Sequence, residues 1–271
     1  EHDITLDLMQ QLLGQNEDWE LRYQLPRWKR FEQEAWRTVD RVITMSDKDR
    51  GMIREGRAIT LANGVDIERF RPSGVRPHRY RLLFIGSFAH LPNVLALEFF
   101  LREVWPLLQT LMVQPLTLHI IAGDGHRYYL NHYRDRVRLD LDKAGIEVEG
   151  FVSDVRPAYE KATVVIAPLL ASAGTNIKIM EALAMGKAIV STTAGINGLS
   201  LEKERDLLVE DEPKAMAEAI LLLLRDEDKR AAIERQARQT AVEHFDWNVT
   251  AERQKQIYMD LCSERSQKSF I

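Results

Sequence analysis

The 271-residue chain has one cysteine, Cys262, which excludes an internal disulfide framework and permits a reducing compartment. It has no apolar run near the ~20 residues that a membrane span needs. A basic excess is also missing: 37 Lys and Arg stand against 41 Asp and Glu, a formal net charge of -4. That balance argues against a general nucleic-acid binder, because no surplus positive charge is there to neutralise a phosphate backbone. The histidines His2, His78, His90, His119, His126, His132 and His244 show no metal-ligand spacing, and no cysteine cluster joins them. A Gly-x-Ser-x-Gly elbow and a Walker loop are both absent, which sets aside a hydrolase triad and a P-loop. The chain opens on Glu1-His2-Asp3-Ile4 without an initiator Met or a signal-peptide pattern, and is expected to be part of something longer.

What is present is ordinary for a globular protein: 45% apolar and 29% charged residues, enough for one large domain or two modest ones. Residues 1–72 are rich in helix formers, with Trp19, Trp28, Phe31 and Trp36 among charges. Phe31, Ala35, Val39 and Val42 approximate helical spacing and predict an amphipathic helix over Gln24–Arg41. Arg41–Ser46 reads as a short strand ending at the helix cap Ser46, before a helix over Asp47–Glu55. Ile59–Leu61 reads as another strand, followed by the turn Asn63-Gly64. These elements are too few to cover two sheet faces. Arg71–Pro77 has the composition of a linker.

From Tyr80 onward strand and helix alternate. Strands are predicted at Arg81–Ile85, Leu116–Ala122, Ile146–Glu149, Val164–Ala167, Ala188–Ser191 and Asp206–Val209. Helices are predicted at Val94–Leu111, Arg127–Ala144, Val155–Lys161 and Thr175–Met185. Short apolar strands alternating with helices predict an α/β fold, a Rossmann-like parallel sheet covered on both faces. A helical tail follows at Pro213–Leu224, Asp226–Glu243 and Trp247–Cys262.

The segment Ser172–Lys187 carries the most chemistry. A strand runs through Pro168 into a loop containing Gly174, then a helix near Thr175 places Lys178 and Glu181 in its first two turns. A helix N-terminus with a lysine beside it is a ready anion site, and a carboxylate one turn further on suits sugar hydroxyls. Ile177, Met180, Leu183 and Ala184 mark the buried stripe, leaving Lys178 and Glu181 on one flank facing the strand ends. An ordinary crossover turn with a solvated Glu181 is the competing reading. Gly86 and Ser87, directly after the first strand, allow close approach of a ligand or simply turn into the next helix at Pro92-Asn93. The run Ala122-Gly123-Asp124-Gly125 does not continue into a dinucleotide fingerprint, so a nicotinamide cofactor is not expected. Gly150–Val155 offers a loop whose Phe151 or Val152 could pack on a base, while Ser153 or Asp154 equally suits a helix cap. The aromatic-basic stretch Arg22–Phe31 fits a packing face with snorkelling cations or a peripheral membrane contact.

With these segments placed, the chain resembles the retaining glycosyltransferases of family GT4, which have the GT-B fold. Asn63-Gly64-Val65-Asp66 with Phe70-Arg71-Pro72 is similar to the family's crossing between domains. Phe84–Gly86, Ile121–Gly125, Gly150–Val152 and Gly186–Ser191 match its later landmarks in order. The resemblance implies that residues 1–72 are the remnant of an N-terminal, acceptor-side domain. Residues 73–246 would be the nucleotide-sugar-binding domain, and 247–271 the helix crossing back. It implies donor binding by Gly86, Ser87, Val152, Gly174, Thr175, Asn176, Ile177, Lys178 and Glu181, with Glu181 toward the ribose hydroxyls. Lys178 matches the basic position of a subset with the pattern Gly-Thr-x-x-Lys-x-x-Glu.

Three departures stand out. Ala173 occupies the position where the family's first Glu usually contacts the donor sugar. The basic pair usual after Gly86 is missing around Ser87 and Pro92-Asn93, and so is the first half of the N-terminal domain. The implied function is metal-independent, retaining transfer from a nucleoside-diphosphate sugar to a saccharide or lipid-linked acceptor in glycan assembly. No cofactor is implied, the nucleotide sugar being a substrate. The implied location is cytoplasmic, with peripheral contact at the inner membrane face, and no nucleic-acid partner. The catalytic residues are unassigned and expected in the missing part, so the chain alone is expected to be inactive. A GT-B-fold nucleotide-sugar epimerase and a non-catalytic binding module are the alternatives.

Overall fold

The computed structural model describes residues 4–15, 18–53, 58–172 and 174–268. The N-terminal region contains α1 (Thr5–Gln15), α2 (Trp19–Thr38), β1 (Val42–Thr44), α3 (Asp47–Met52) and β2 (Ala58–Thr60). The strands β1 and β2 pair in parallel, Val42 opposite Ala58. Ser46 caps α3 as expected, its hydroxyl accepting the Asp49 N–H. The last residues of the Asp47–Glu55 prediction lie outside the described residues.

In α2 the expected face is wrong. Phe31 is 63% exposed and Val39 44%, while Glu32 is buried. The Glu32 carboxylate accepts the Thr5 N–H at 2.7 Å and the Leu6 N–H at 3.3 Å. It satisfies the free N-terminal donors of α1, so an anion rather than the aromatic stripe faces inward. The helix also begins earlier than predicted, because Asp18 accepts from Glu20 and Leu21 and caps it at Trp19.

The larger region begins with β3 (Arg81–Ile85), α4 (Leu91–Phe99) and α5 (Trp105–Leu111), the two helices joined by the π-turn Phe100–Val104. It continues with β4 (Thr117–Ile121), α6 (His126–His132), β5 (Ile146–Glu149), α7 (Arg156–Lys161) and β6 (Val164–Ala167). Then come α8 (Ile177–Ala184), β7 (Ala188–Ser191), β8 (Leu208–Val209), α9 (Pro213–Arg225), α10 (Glu227–His244) and α11 (Trp247–Lys268). The six strands run in the order β5-β4-β3-β6-β7-β8, every pair parallel.

Alternation along each strand feeds two apolar layers. Leu82, Phe84, Val164 and Ile166 join α4, α5 and α9, whereas Leu83, Val165, Ala167 and Ile189 join α8 and α10. Side chains of a strand point to opposite faces in turn, so both faces are dry. The expected α/β fold with a helical tail holds.

The predicted helix over Arg127–Ala144 does not. It ends at His132, and residues 137–142 have no regular structure. Val137, Leu139 and Leu141 alternate with Arg136, Arg138, Asp140 and Asp142, a period of two that suits an extended segment. Those three apolar side chains lie on the first layer.

The segment after Asn63 crosses the end of the tail. Val65 N–H donates to Phe245 O at 2.6 Å and Trp247 N–H to Val65 O at 3.3 Å. A Cβ on Gly64 would meet the Trp247 ring at 2.9 Å, so a side chain there would displace the start of α11. The Arg238 guanidinium then ties Ile67 O, Phe70 O and Ala184 O together.

Candidate functional site

Numbered from β3, the sheet order is the doubly wound 3-2-1-4-5-6, whose direction reverses between β3 and β6. In open parallel sheets ligands bind at such a reversal, in the crevice beyond the carboxyl ends of the two strands. The loops after β3 and after β6 both start there, and they contain Gly86-Ser87 and Gly174–Asn176.

The loop after β3 is tied to α8 by the amide of Asn93, which the sequence marks only as a helix start. Asn93 Nδ2 donates to Ser87 O at 2.9 Å, and Asn93 Oδ1 accepts from Lys178 Nζ at 2.6 Å. Gly86 is required by the same side chain, since a Cβ would lie 2.8 Å from Asn93 Cγ. The Lys178 ammonium also stands 5.6 Å from the centre of the Phe84 ring. Enclosed between ring and amide, it loses hydration, and burial lowers its pKa to about 8, with Glu181 pulling the other way.

Helix α8 forms because Ile179, Met180, Leu183 and Ala184 bury one face against the second layer. Ile177, expected in the buried stripe, is 51% exposed, since it opens the helix at the crevice rather than over the sheet. Asn176 is the N-cap, but its side chain does not cap: Nδ2 donates instead to Gly195 O at 2.6 Å and Ser172 Oγ at 3.1 Å. The first turn of α8 therefore offers N–H groups with no capping side chain, beside an ammonium group. Thr175 Oγ1 accepts from Asn63 Nδ2 at 2.8 Å, and Gly174 O accepts from Ser172 Oγ at 3.0 Å.

Glu181 sits one turn on. Its Oε2 accepts the Tyr159 hydroxyl at 3.0 Å, and that hydroxyl also lies 3.1 Å from Lys178 O. Burial raises the Glu181 pKa, against the opposing pull of the Tyr159 hydrogen bond, Arg69 and Lys178. Tyr159 is buried and its own pKa is pushed well up by burial and by Glu181. Tyr159 and Asn93 carry no motif, and only the folded chain reveals them as partners of Glu181 and Lys178. Val152 follows β5, two strands outward from β3, and packs half-buried on the second layer, whereas Phe151 is 73% exposed. Ala173 lies outside the described residues. Among the described residues no three His, Cys, Asp or Glu side chains gather as a metal site, and no helix is long and apolar enough to cross a membrane.

The family model for glycosyl transferases group 1 matches residues 79–226, more than half of the chain. No curated protein matches the chain by sequence. A glycosyltransferase from Rickettsia africae superposes with a TM-score of 0.69 at 16% identity, over 85% of this chain and 66% of the other. Sucrose-phosphate synthase from Thermosynechococcus elongatus gives 0.72 at 16% identity, over 96% and 66%. Anabaena HepE, solved in complex with UDP-glucose, gives 0.65 at 20% identity, over 87% and 69%. The chain thus spans about two thirds of the length of these solved structures. At such identities the likeness shows the fold: the parallel sheet matches that of GT-B glycosyltransferases.

Proposed function

The chain belongs to the group 1 glycosyl transferases, and we propose that it binds a nucleoside-diphosphate sugar in the crevice between β3 and β6 as the donor of a glycosyl transfer. The carrying observation is the uncapped first turn of α8 beside the enclosed Lys178 ammonium, at the point where the strand order reverses. The donor diphosphate is anionic, and both groups are preorganised to receive it. As the glycosidic bond breaks, charge grows on the leaving diphosphate, and fixed N–H dipoles with one ammonium stabilise that charge without a metal ion. Glu181, held by Tyr159, accepts hydrogen bonds from the ribose hydroxyls. Gly86 and Ser87 flank the phosphates, Gly174 to Ile177 supply backbone donors, and Val152 lies toward the base.

The resemblance to GT4 supports retention of configuration and a saccharide or lipid-linked acceptor. The UDP-glucose bound by HepE supports a nucleotide-sugar donor. Residues 1–72 are proposed to be the last part of the acceptor-side domain, 73–246 the donor domain and 247–271 the returning helix. Work on such substrates is proposed at the cytoplasmic side, with α2 as the edge of membrane contact. Ala173, in place of the carboxylate expected for the donor sugar, favours a second reading, a non-catalytic nucleotide-sugar module.

Calorimetry with a panel of UDP, GDP, dTDP and ADP tests the site. Lys178→Ala is expected to weaken the best diphosphate about 10- to 100-fold, as for a lost charged hydrogen bond, and Glu181→Ala to weaken it by a smaller factor. Unchanged affinity in both variants would sink the assignment. Incubating UDP-, GDP- and dTDP-sugars without acceptor separates transferase from epimerase, since only an epimerase makes an epimerised sugar there.

A further inference from the structure

Helix α1 hydrogen-bonds the loop after β6 through Gln11, 161 residues from its partner in sequence. Gln11 Nε2 donates to Ser172 O at 3.0 Å, and Gln11 Oε1 accepts the Ser172 N–H at 3.0 Å. Nε2 also donates to Asp7 Oδ2 at 2.7 Å, and Lys48 on α3 pairs with the same carboxylate oxygen. Both amide hydrogens and the amide oxygen are therefore in use. Glu at this position would have no donor, and Asn would be one methylene short. Ser172 is the anchor of the loop: its Oγ donates to Gly174 O and accepts from Asn176, and its carbonyl also accepts from Asn197 Nδ2 at 2.6 Å.

We propose that Gln11, fixed by Asp7 and Lys48, is a positioning residue for the diphosphate end of the donor site. By clamping both backbone groups of Ser172 it orders the loop, so that the N–H groups from Gly174 to Lys178 converge before the ligand arrives. A loop ordered in advance does not subtract its ordering cost from the binding free energy. The N-terminal region thus sets donor affinity without touching the donor. The inference rests on the donor-site reading above.

The test compares a nucleoside diphosphate with its monophosphate by calorimetry, using whichever of UDP, GDP, dTDP and ADP binds the unmodified chain. Gln11→Met keeps side-chain length and removes the hydrogen bonds. It is expected to lower the ratio of diphosphate to monophosphate affinity about tenfold, the scale of one to two lost hydrogen bonds. Lys48→Met, remote from the loop, is expected to lower the same ratio about two- to threefold, and it decides the matter if Gln11→Met does not fold. An unchanged ratio in folded Gln11→Met, or in Lys48→Met where the first variant does not fold, overturns the inference and leaves the donor site standing. Equal losses for both nucleotides make Gln11 a general support and overturn it too. A chain that binds none of the four diphosphates overturns the donor site and the inference together.

Discussion

The two regions of this chain are held together by different physics. The six-stranded sheet buries two apolar layers, with Phe84, Leu97, Trp105, Ile166 and Ile189 at or near zero exposure. The N-terminal region has a small core of Ile4, Leu6, Val42 and Ile53, packed by Leu25, Trp36, Met52 and Ala58. Polar contacts add to that small core: Glu32 to the start of α1, Gln11 to Ser172, Asn63 to Thr175 and Arg136 to Asp18. Burial is worth about 1.5–3 kcal/mol per large side chain, whereas a hydrogen bond nets about 1 kcal/mol. The sheet therefore supplies a rigid floor for the crevice, and the N-terminal region supplies contacts that can be tuned singly.

The sharpest way to break that comparison is a matched pair of truncations. Phe84→Ala, in the sheet, is expected to cost about 3–5 kcal/mol in urea unfolding. A loss below about 1 kcal/mol would show that the sheet is not the rigid part. Glu32→Ala comes next, leaving two N–H groups at the start of α1 without their acceptor. The expected cost is about 1–2 kcal/mol, seen as faster hydrogen exchange in α1 with β6 unchanged. Equal acceleration in β6 would mean that the regions unfold as one.

The third effect depends on pH. Lys178 titrates near pH 8 in the unliganded chain because it is enclosed, and only its protonated form attracts a diphosphate. Affinity should be highest near pH 7 and fall as pH rises through 8, by at most about tenfold per unit. The slope should vanish in Lys178→Met, and a slope that survives would place the titrating group elsewhere. The smallest effect closes the pair: Phe31→Ala, on the exposed face of α2, should stay within about 0.5 kcal/mol.

Strands were the legible part of the sequence. The predicted Arg81–Ile85, Ile146–Glu149, Val164–Ala167 and Ala188–Ser191 coincide with β3, β5, β6 and β7, because short apolar or alternating runs set between helical segments fit a strand and are too short for a helix. Helical faces were less legible where charge decides them. Glu32 points inward on α2 because the start of α1 needs acceptors, which no hydrophobic period reports. The stretch from Val137 to Leu141 was read as helix although its apolar residues alternate with charges.

At the site, the loop-helix carrying Lys178 and Glu181 was visible from local pattern. Asn93, Tyr159 and Gln11 were not, since each acts across 22 or more residues of chain and only the fold brings it near.

The central claim is that the diphosphate of a nucleotide binds at the first turn of α8. A crystal structure of the chain with a bound nucleoside diphosphate tests it directly. The account predicts phosphate oxygens within hydrogen-bond distance of Lys178 Nζ and of backbone N–H groups between Gly174 and Lys178. Phosphates bound anywhere else, with that turn unliganded, would contradict it.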